Sequence, residues 1–291
     1  MSAEPAAPVA VRRAVVFANT DLDETEAALA AASAAAERAS CTLIADPREL
    51  RDASARPPSL EICAEPPADV DLCLALGGDG TILQALRTYA GTEVPVFGIN
   101  FGTIGFLAAA ERDELDHGLE RAFGGAFEVM TLPGLSVEVE TEKPIALNDV
   151  SLTRKPHGRV AELAYRLGGQ EVGNVRCDGL VAATPAGSTG YNLANQGPIL
   201  AWGVKGYVVS FIAPHTLTAR ALVVAPGDVL HVVNGAGRDP LDIALDGDPV
   251  GELASGDELA IRFREGVGHL AQLPGSNFYR RIREKFGHLA H

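Results

Sequence analysis

The rhythm of the chain changes near residue 126, and this change constrains the fold more than any other feature of the sequence. Before it, apolar runs alternate with helical stretches: RAVVFA (13–18), the alanine-rich Ala27–Ala36, CTLIAD (41–46), DLCLAL (71–76), TILQALRTYA after the turn residues Gly77-Gly78-Asp79-Gly80, VPVFGIN (94–100) and DELDHGLERAF (113–123). Strands alternating with helices imply βαβ units and a mostly parallel sheet. After it come SVEVE (136–140), ELAYRLGG (162–169), KGYVVSFIA (205–213), ALVVAPGDVLHVVNG (221–235), LDIALDG (241–247) and ELAIRFREG (258–266), short runs broken by Gly and Pro. Val137 and Val139 alternate with Glu138 and Glu140, the pattern of a half-buried strand. The expected fold is an α/β N-terminal domain followed by an all-β sandwich. Asn277–Leu289 is basic and amphipathic and reads as a helix. The expected domains are residues 1–125, joined by 275–291, and residues 126–274.

Composition narrows the function. With 47% apolar residues in 291, the chain can bury sizeable cores and is not of the disordered class. A formal charge of −14 argues against nucleic-acid or anionic-membrane surfaces, which need a basic face. It leaves room for a small phosphate ligand held by a few amides and an arginine. Cys41, Cys63, Cys73 and Cys177 form no C-x-x-C pair and no disulfide framework, which fits a reducing compartment. No signal-peptide pattern precedes Arg12 and Arg13. Residues 179–204 are uncharged but crowded with Gly, Pro, Ser, Thr and Asn, so they do not read as a membrane helix. A soluble, cytoplasmic protein is expected.

Three clusters carry chemistry. Gly77, Gly78, Asp79, Gly80 and Thr81 follow an apolar strand and open onto a helix. Glycines admit close backbone approach and a helix N-terminus offers unpaired amides, so this is a phosphate-handling geometry as well as a plausible plain turn. Asp79 is a poor phosphate cradle, which points to a base or a metal-linked group instead. Asn148 and Asp149 are adjacent polar residues between apolar flanks, read either as a strand end meeting a ligand or as a β-turn. The longest cluster runs from Arg176 to Leu193 and contains TPAGSTG (184–190), hydroxyls and amides with little bulk. It suits a sugar, phosphate or base, or serves as a loop capping a helix near Thr189.

Together these clusters resemble the NAD kinase family. GGDGT stands at Gly77–Thr81, the family's N-E/D pair at Asn148-Asp149, and its DG-L-x-x-x-TP-x-GST-x-Y segment at Asp178–Tyr191. GINFGTIGFL (98–107) and PHTLTAR (214–220) are similar to two further family motifs, in the family's order. GGDGT alone is shared with lipid kinases and phosphofructokinases; the five together are specific.

The resemblance implies a Rossmann-like N-terminal domain, a β-sandwich C-terminal domain, and phosphorylation of NAD at the adenosine ribose 2′-hydroxyl to give NADP. The donor would be ATP or polyphosphate, with Mg²⁺ expected alongside it and no protein-held metal site. Asp79 would be the catalytic base, with Gly77, Gly78 and Thr81 as the phosphate loop. Gly80, Asn148, Asp149, Arg159, Arg176, Asp178, Thr189, Gly190, Tyr191, Ala194 and Asp248 would bind substrate. Gly190 stands where the family has Ala, the family's S-x-x-GGP reads Asn192-Leu193-Ala194-Asn195-Gln196-Gly197-Pro198, and Asp248 replaces the amide of a DGQ-like triplet.

A lipid or sugar kinase sharing only GGDGT and a non-catalytic dinucleotide sensor are the competing readings. The two later motifs count against the first and an intact Asp79 against the second. An even-numbered homo-oligomer, dimer or tetramer, is expected, because the β-rich half offers edge strands and a neutral stretch, 179–204, that would not stay wholly in water, and because the family it resembles forms homodimers or homotetramers.

Overall fold

The computed structural model describes residues 10–19, 23–47, 59–102, 105–139, 143–216, 218–235 and 237–287. The chain divides into two compact units: Met1–Thr131 with Gly268–His291, and Leu132–Val267.

The first unit is the parallel α/β body. Its elements are β1 (Arg13–Ala18), α1 (Asp23–Arg38), β2 (Thr42–Ala45), β3 (Glu61–Ile62), β4 (Leu72–Gly77), α2 (Asp79–Thr88), β5 (Val96–Asn100), β6 (Ala110–Glu111) and α3 (Leu115–Phe123). The strands lie in the order β5-β4-β1-β2-β3, every neighbouring pair parallel. All six residues of β4 are buried, as expected where helices cover both faces of a parallel sheet. Ala28, Leu29 and Ala32 of α1, Leu119 and Phe123 of α3, and Leu74, Phe97 and Ile99 of the sheet form one core. Small side chains on α1 let it lie close to its neighbours.

β7 (Glu128–Ser136) leads out of this unit. The second unit continues with β8 (Ile145–Ala146), β9 (Asp149–Arg154), β10 (Ala161–Leu167), β11 (Gln170–Cys177), β12 (Gly179–Ala183), the short α4 (Tyr191–Ala194), β13 (Tyr207–Ile212), β14 (Leu222–Val224), β15 (Leu230–Asn234), β16 (Leu241–Leu245), β17 (Asp248–Leu253) and β18 (Glu258–Gln272). One sheet runs β14-β13-β12-β9-β16-β17 and the other β11-β10-β15-β18, all antiparallel. Leu152, Leu180, Val209 and Ile243 from one sheet share a core with Leu163, Val232, Leu259 and Ile261 from the other, which makes a sandwich. β18 returns to the first unit, where Leu270 and Ala271 pair in parallel with Val96 and Phe97 of β5, and α5 (Phe278–Phe286) follows. No helix among the described residues is long and apolar enough to cross a membrane.

Three expectations are corrected. Asp79 and Gly80 are not turn residues: β4 ends on Gly77, Gly78 alone is the N-cap, and the helix begins at Asp79. SVEVE is not the strand; β7 ends at Ser136, with Leu135 and Ser136 opposite Ala146 and Ile145 of β8. Residues 179–204 are a neutral surface only in their second half, where most of 189–204 is exposed or half-buried. Gly179–Ser188 are all buried, with β12 at the centre of its sheet between β9 and β13, so these ten residues lack charge because they are interior.

Candidate active site

In the first unit the site grows from the carboxyl end of β4, where open α/β sheets receive their ligands. A Cβ on Gly77 would lie 2.3 Å from the Thr81 Oγ1, so the strand-to-helix junction closes only around a glycine. Asp79 thus sits in the first turn of α2, and its carboxylate reaches the segment after β5. The Phe106 N–H donates to Oδ2 at 2.8 Å and to Oδ1 at 3.1 Å, and the Leu107 N–H donates to Oδ1 at 3.1 Å. Burial raises the proton affinity of Asp79 above the usual carboxylate range, against the pull of those two amides and the charges of Arg281 and Lys285. Gly80 is exposed with open space where a Cβ would stand. Thr103 and Ile104 of GINFGTIGFL lie outside the described residues.

In the second unit the Asn148-Asp149 pair stands at the start of β9, and Asp246 holds it in place. The Asp246 carboxylate accepts the N–H groups of Leu147 (2.9 Å), Asn148 (2.6 Å) and Asp149 (3.0 Å). The Asn148 carbonyl in turn accepts the Thr184 N–H at 2.8 Å, and the Thr184 hydroxyl donates to the Leu147 carbonyl at 2.6 Å. A Cβ on Gly187 would meet that Asn148 carbonyl oxygen at 2.1 Å, so TPAGST can lie against the pair only with glycine there. Asp149 is buried, and burial followed by the Asp246 charge pushes its carboxyl up to about 7.

Asp178, at the turn between β11 and β12, is forked by Arg154: Nε donates to Oδ1 at 2.6 Å and Nη2 to Oδ2 at 3.3 Å. That hydrogen-bonded cation holds the Asp178 carboxyl below its ordinary value, with a smaller contribution from His215. Tyr191, 39% exposed, has its hydroxyl proton held more tightly by burial and by the charges of Asp149 and Asp178, so these three residues share one neighbourhood. Gly190 caps α4 and donates to the Gly187 carbonyl, and the Thr189 hydroxyl turns back to Ala186.

The remaining candidates are held elsewhere in the unit. Ala194 lines a cavity of about 490 Å³ with Ser210 and Arg220. The Arg159 N–H donates to Asp239, the exposed Arg176 accepts the His215 N–H on its carbonyl, and Asp248 stands opposite Leu245 at the start of β17. Among the described residues no three His, Cys, Asp or Glu side chains gather in a way that would hold a metal ion.

Sequence reasoning gave no role to Asp246, named only as the first residue of the DGQ-like triplet, nor to Arg154 and Arg281. A signal existed for the first. Asp246 and Gly247 form a two-residue hairpin turn between β16 and β17 with φ of 51° and 89°, and Asp-Gly between alternating strands is the usual signature of that turn.

Residues 12–127 match the ATP-NAD kinase N-terminal domain and residues 147–270 the ATP-NAD kinase C-terminal domain. The chain belongs to the NAD kinase family. It is 34% identical over 225 residues to the NAD kinase of Gemmatimonas aurantiaca, covering 75% of this chain and 78% of that one. It is 35% identical over 221 residues to the NAD kinase of Carboxydothermus hydrogenoformans, covering 74% and 79%. Its fold is that of yeast NADH kinase, solved in complex with NADH (TM-score 0.84, 21% identity, covering 97% of this chain and 89% of that one). The NAD kinase of Archaeoglobus fulgidus, solved in complex with ATP, also shares it (TM-score 0.71, 24% identity, 95% and 97% covered). Within the NAD kinase family a Rossmann-like sheet and a β-sandwich recur, as they do here.

Proposed function

We propose that this NAD kinase family member transfers the terminal phosphoryl group of ATP to the 2′-hydroxyl of the adenosine ribose of NAD, giving NADP and ADP. The bond from the hydroxyl oxygen to phosphorus forms as the bond from that phosphorus to the β-phosphate oxygen breaks, and the hydroxyl proton goes to Asp79. The observation that carries this reading is the Asp79 carboxylate: fixed in the first turn of α2 by two backbone amides and raised in proton affinity by burial. A carboxylate accepts at about four positions, so two amides leave room for the substrate hydroxyl. A proton affinity above the carboxylate norm suits a base working near neutrality.

Asn148, Asp149, Asp178 and Tyr191 would hold the adenosine half of NAD, with Gly77, Gly78 and Thr81 near the donor phosphates. Mg²⁺ fits as a companion of those phosphates, since it is commonly held by phosphate oxygens with one or two carboxylates rather than by a protein cage. When bound it would neutralise the phosphate charge. Inorganic polyphosphate is a second donor of the same chemistry. A cytoplasmic location and an even-numbered homo-oligomer complete the proposal, the latter supported by the uncharged stretch 189–204, most of which is exposed or half-buried.

The experiment is an assay of purified protein with NAD and Mg²⁺ and either ATP or polyphosphate, reading NADP. Formation of 2′-phosphorylated product with at least one donor is expected; no product with either would overturn the reading.

A further inference from the structure

The basic C-terminal helix has no part in the reaction as described so far, yet its Arg281 is bound into the segment that holds Asp79. Arg281 Nη1 donates to the Phe106 carbonyl at 3.0 Å and to the Ala108 carbonyl. Its Nη2 donates to Gln272 Oε1 and, at 2.9 Å, to the Ser276 hydroxyl. Gln272 in turn donates from Nε2 to the Leu107 carbonyl at 2.9 Å. The carbonyls of three successive residues, 106 to 108, are therefore held by one guanidinium and the amide it orients.

Two of the three, Phe106 and Leu107, are the residues whose N–H groups grip Asp79. The Phe106 carbonyl and the Leu107 N–H belong to one peptide unit, so a continuous line runs from Arg281 through that peptide to Asp79 Oδ1. A cation on the carbonyl end of a peptide polarises it and strengthens the bond its N–H donates. Arg is suited to this because one end of its planar fork holds the two carbonyls while the other holds Gln272 and Ser276, a spread that a single ammonium nitrogen does not reach. A second cation of the helix, Lys285, is tied to Glu111 at 3.3 Å, and Asn100 at the end of β5 donates to the other oxygen of that carboxylate at 2.7 Å.

We infer that Arg281 is a positioning residue for the phosphoryl transfer: through the backbone of residues 106–108 it fixes the direction of the Asp79 carboxylate without touching substrate. The inference rests on Asp79 being the proton acceptor. Its signature is a loss of turnover with NAD binding spared, because a reacting group displaced by an ångström slows the chemistry while the nucleotide's other contacts remain.

The test is steady-state kinetics of the full chain with NAD, ATP and Mg²⁺ for wild type, Arg281→Ala, Arg281→Lys and Asp79→Asn, with NAD affinity measured separately by calorimetry. Arg281→Ala is expected to lower kcat by ~10- to 100-fold. Its NAD Kd should move by less than about threefold, and millimolar guanidinium should restore part of the lost kcat. Arg281→Lys, which keeps the charge but not the fork, should fall between the two, and it carries the test alone if Arg281→Ala does not fold. Wild-type kcat in Arg281→Lys, or losses of kcat and NAD affinity that run in parallel with no rescue by guanidinium, overturns the inference. Asp79→Asn separates the two claims. If it turns over normally, the base assignment fails; if it is inactive beside a fully active Arg281→Lys, only the inference fails.

Discussion

Asp246 and Asp149 are joined backbone to side chain and back again: the Asp246 carboxylate accepts the Asp149 N–H at 3.0 Å, and the Asp149 carbonyl accepts the Asp246 N–H at 2.8 Å. The exchange locks the hairpin turn of β16–β17 onto the first residue of β9. It also sets a second negative charge beside a buried carboxyl.

A pH dependence of stability follows. With its carboxyl pushed from 3.8 up to about 7, Asp149 keeps in the folded state a proton that the unfolded chain has already released. Stability therefore falls as pH rises from about 4 to about 7 and levels off above, by on the order of a few kcal/mol. Asp149→Asn removes the titration, so without NAD its melting temperature should exceed that of wild type by a margin that widens from about pH 5 to about pH 8. Melting curves of both proteins across that range decide it; a margin independent of pH would rule the explanation out.

Asp79→Asn should lower kcat by ~10²–10⁴-fold, because the amide is no longer a proton acceptor. NAD affinity should change far less, since one amide oxygen can still accept the Phe106 and Leu107 N–H groups, while the amide NH2 set against the Phe106 N–H should lower the melting temperature modestly. In wild type the acid limb of kcat should lie above the ordinary carboxylate range, the direction in which burial moves Asp79. Near-wild-type turnover in a stable Asp79→Asn would sink the base assignment.

Asp178 should read the adenine amino group. Arg154 occupies one side of its carboxylate and aims it, and the group is only 30% exposed. Leaving that acceptor without a donor costs on the order of 1–3 kcal/mol. Wild type should therefore prefer NAD over nicotinamide hypoxanthine dinucleotide in kcat/KM, and Asp178→Ala should not. Equal discrimination by both proteins would remove the role.

Gly187→Ala is a test of the packing between TPAGST and the Asn148-Asp149 pair. The added Cβ would lie 2.1 Å from the Asn148 carbonyl oxygen and 2.4 Å from its carbon, both backbone atoms that cannot rotate away. A loss of roughly 1–3 kcal/mol in stability is expected, with weakened NAD binding. Gly203→Ala, where nothing lies within 4 Å of the new Cβ, is the control that should leave stability unchanged.

The sequence disclosed those parts of the molecule that rest on local pattern. The runs ELAYRLGG and DLCLAL report burial directly and both hold strands, whereas the alternation at Val137 and Val139 lies beyond the end of β7. GGDGT and TPAGSTGY were legible because close backbone approach demands glycine whatever surrounds it. What stayed hidden depends on partners far along the chain. Asp246 meets Leu147 99 positions away, and Arg281 meets Phe106 across 175. Neither residue type nor spacing marks an arginine in a basic helix as different from its neighbours Arg280 and Arg283. The uncharged stretch 179–204 misled for a related reason: a central strand and an exposed loop can share one composition, and only pairing on both edges tells them apart.

The first unit is sewn from two stretches of chain with the whole of Leu132–Val267 between them. On a ribosome this reverses the usual order in which domains mature, the N-terminal one first. Asp79, Phe106 and Leu107 emerge early, whereas Gln272 and Arg281, which tie down that segment, follow only after the β-sandwich has been made. The sandwich can finish folding while the parallel sheet still waits for Leu270 and Ala271 to line the edge of β5. Released chains that end at residue 267 would accordingly protect the second unit from protease and leave the first open to it. A chain released short of α5 would carry every family motif and lack the Arg281 clamp on the segment that holds Asp79.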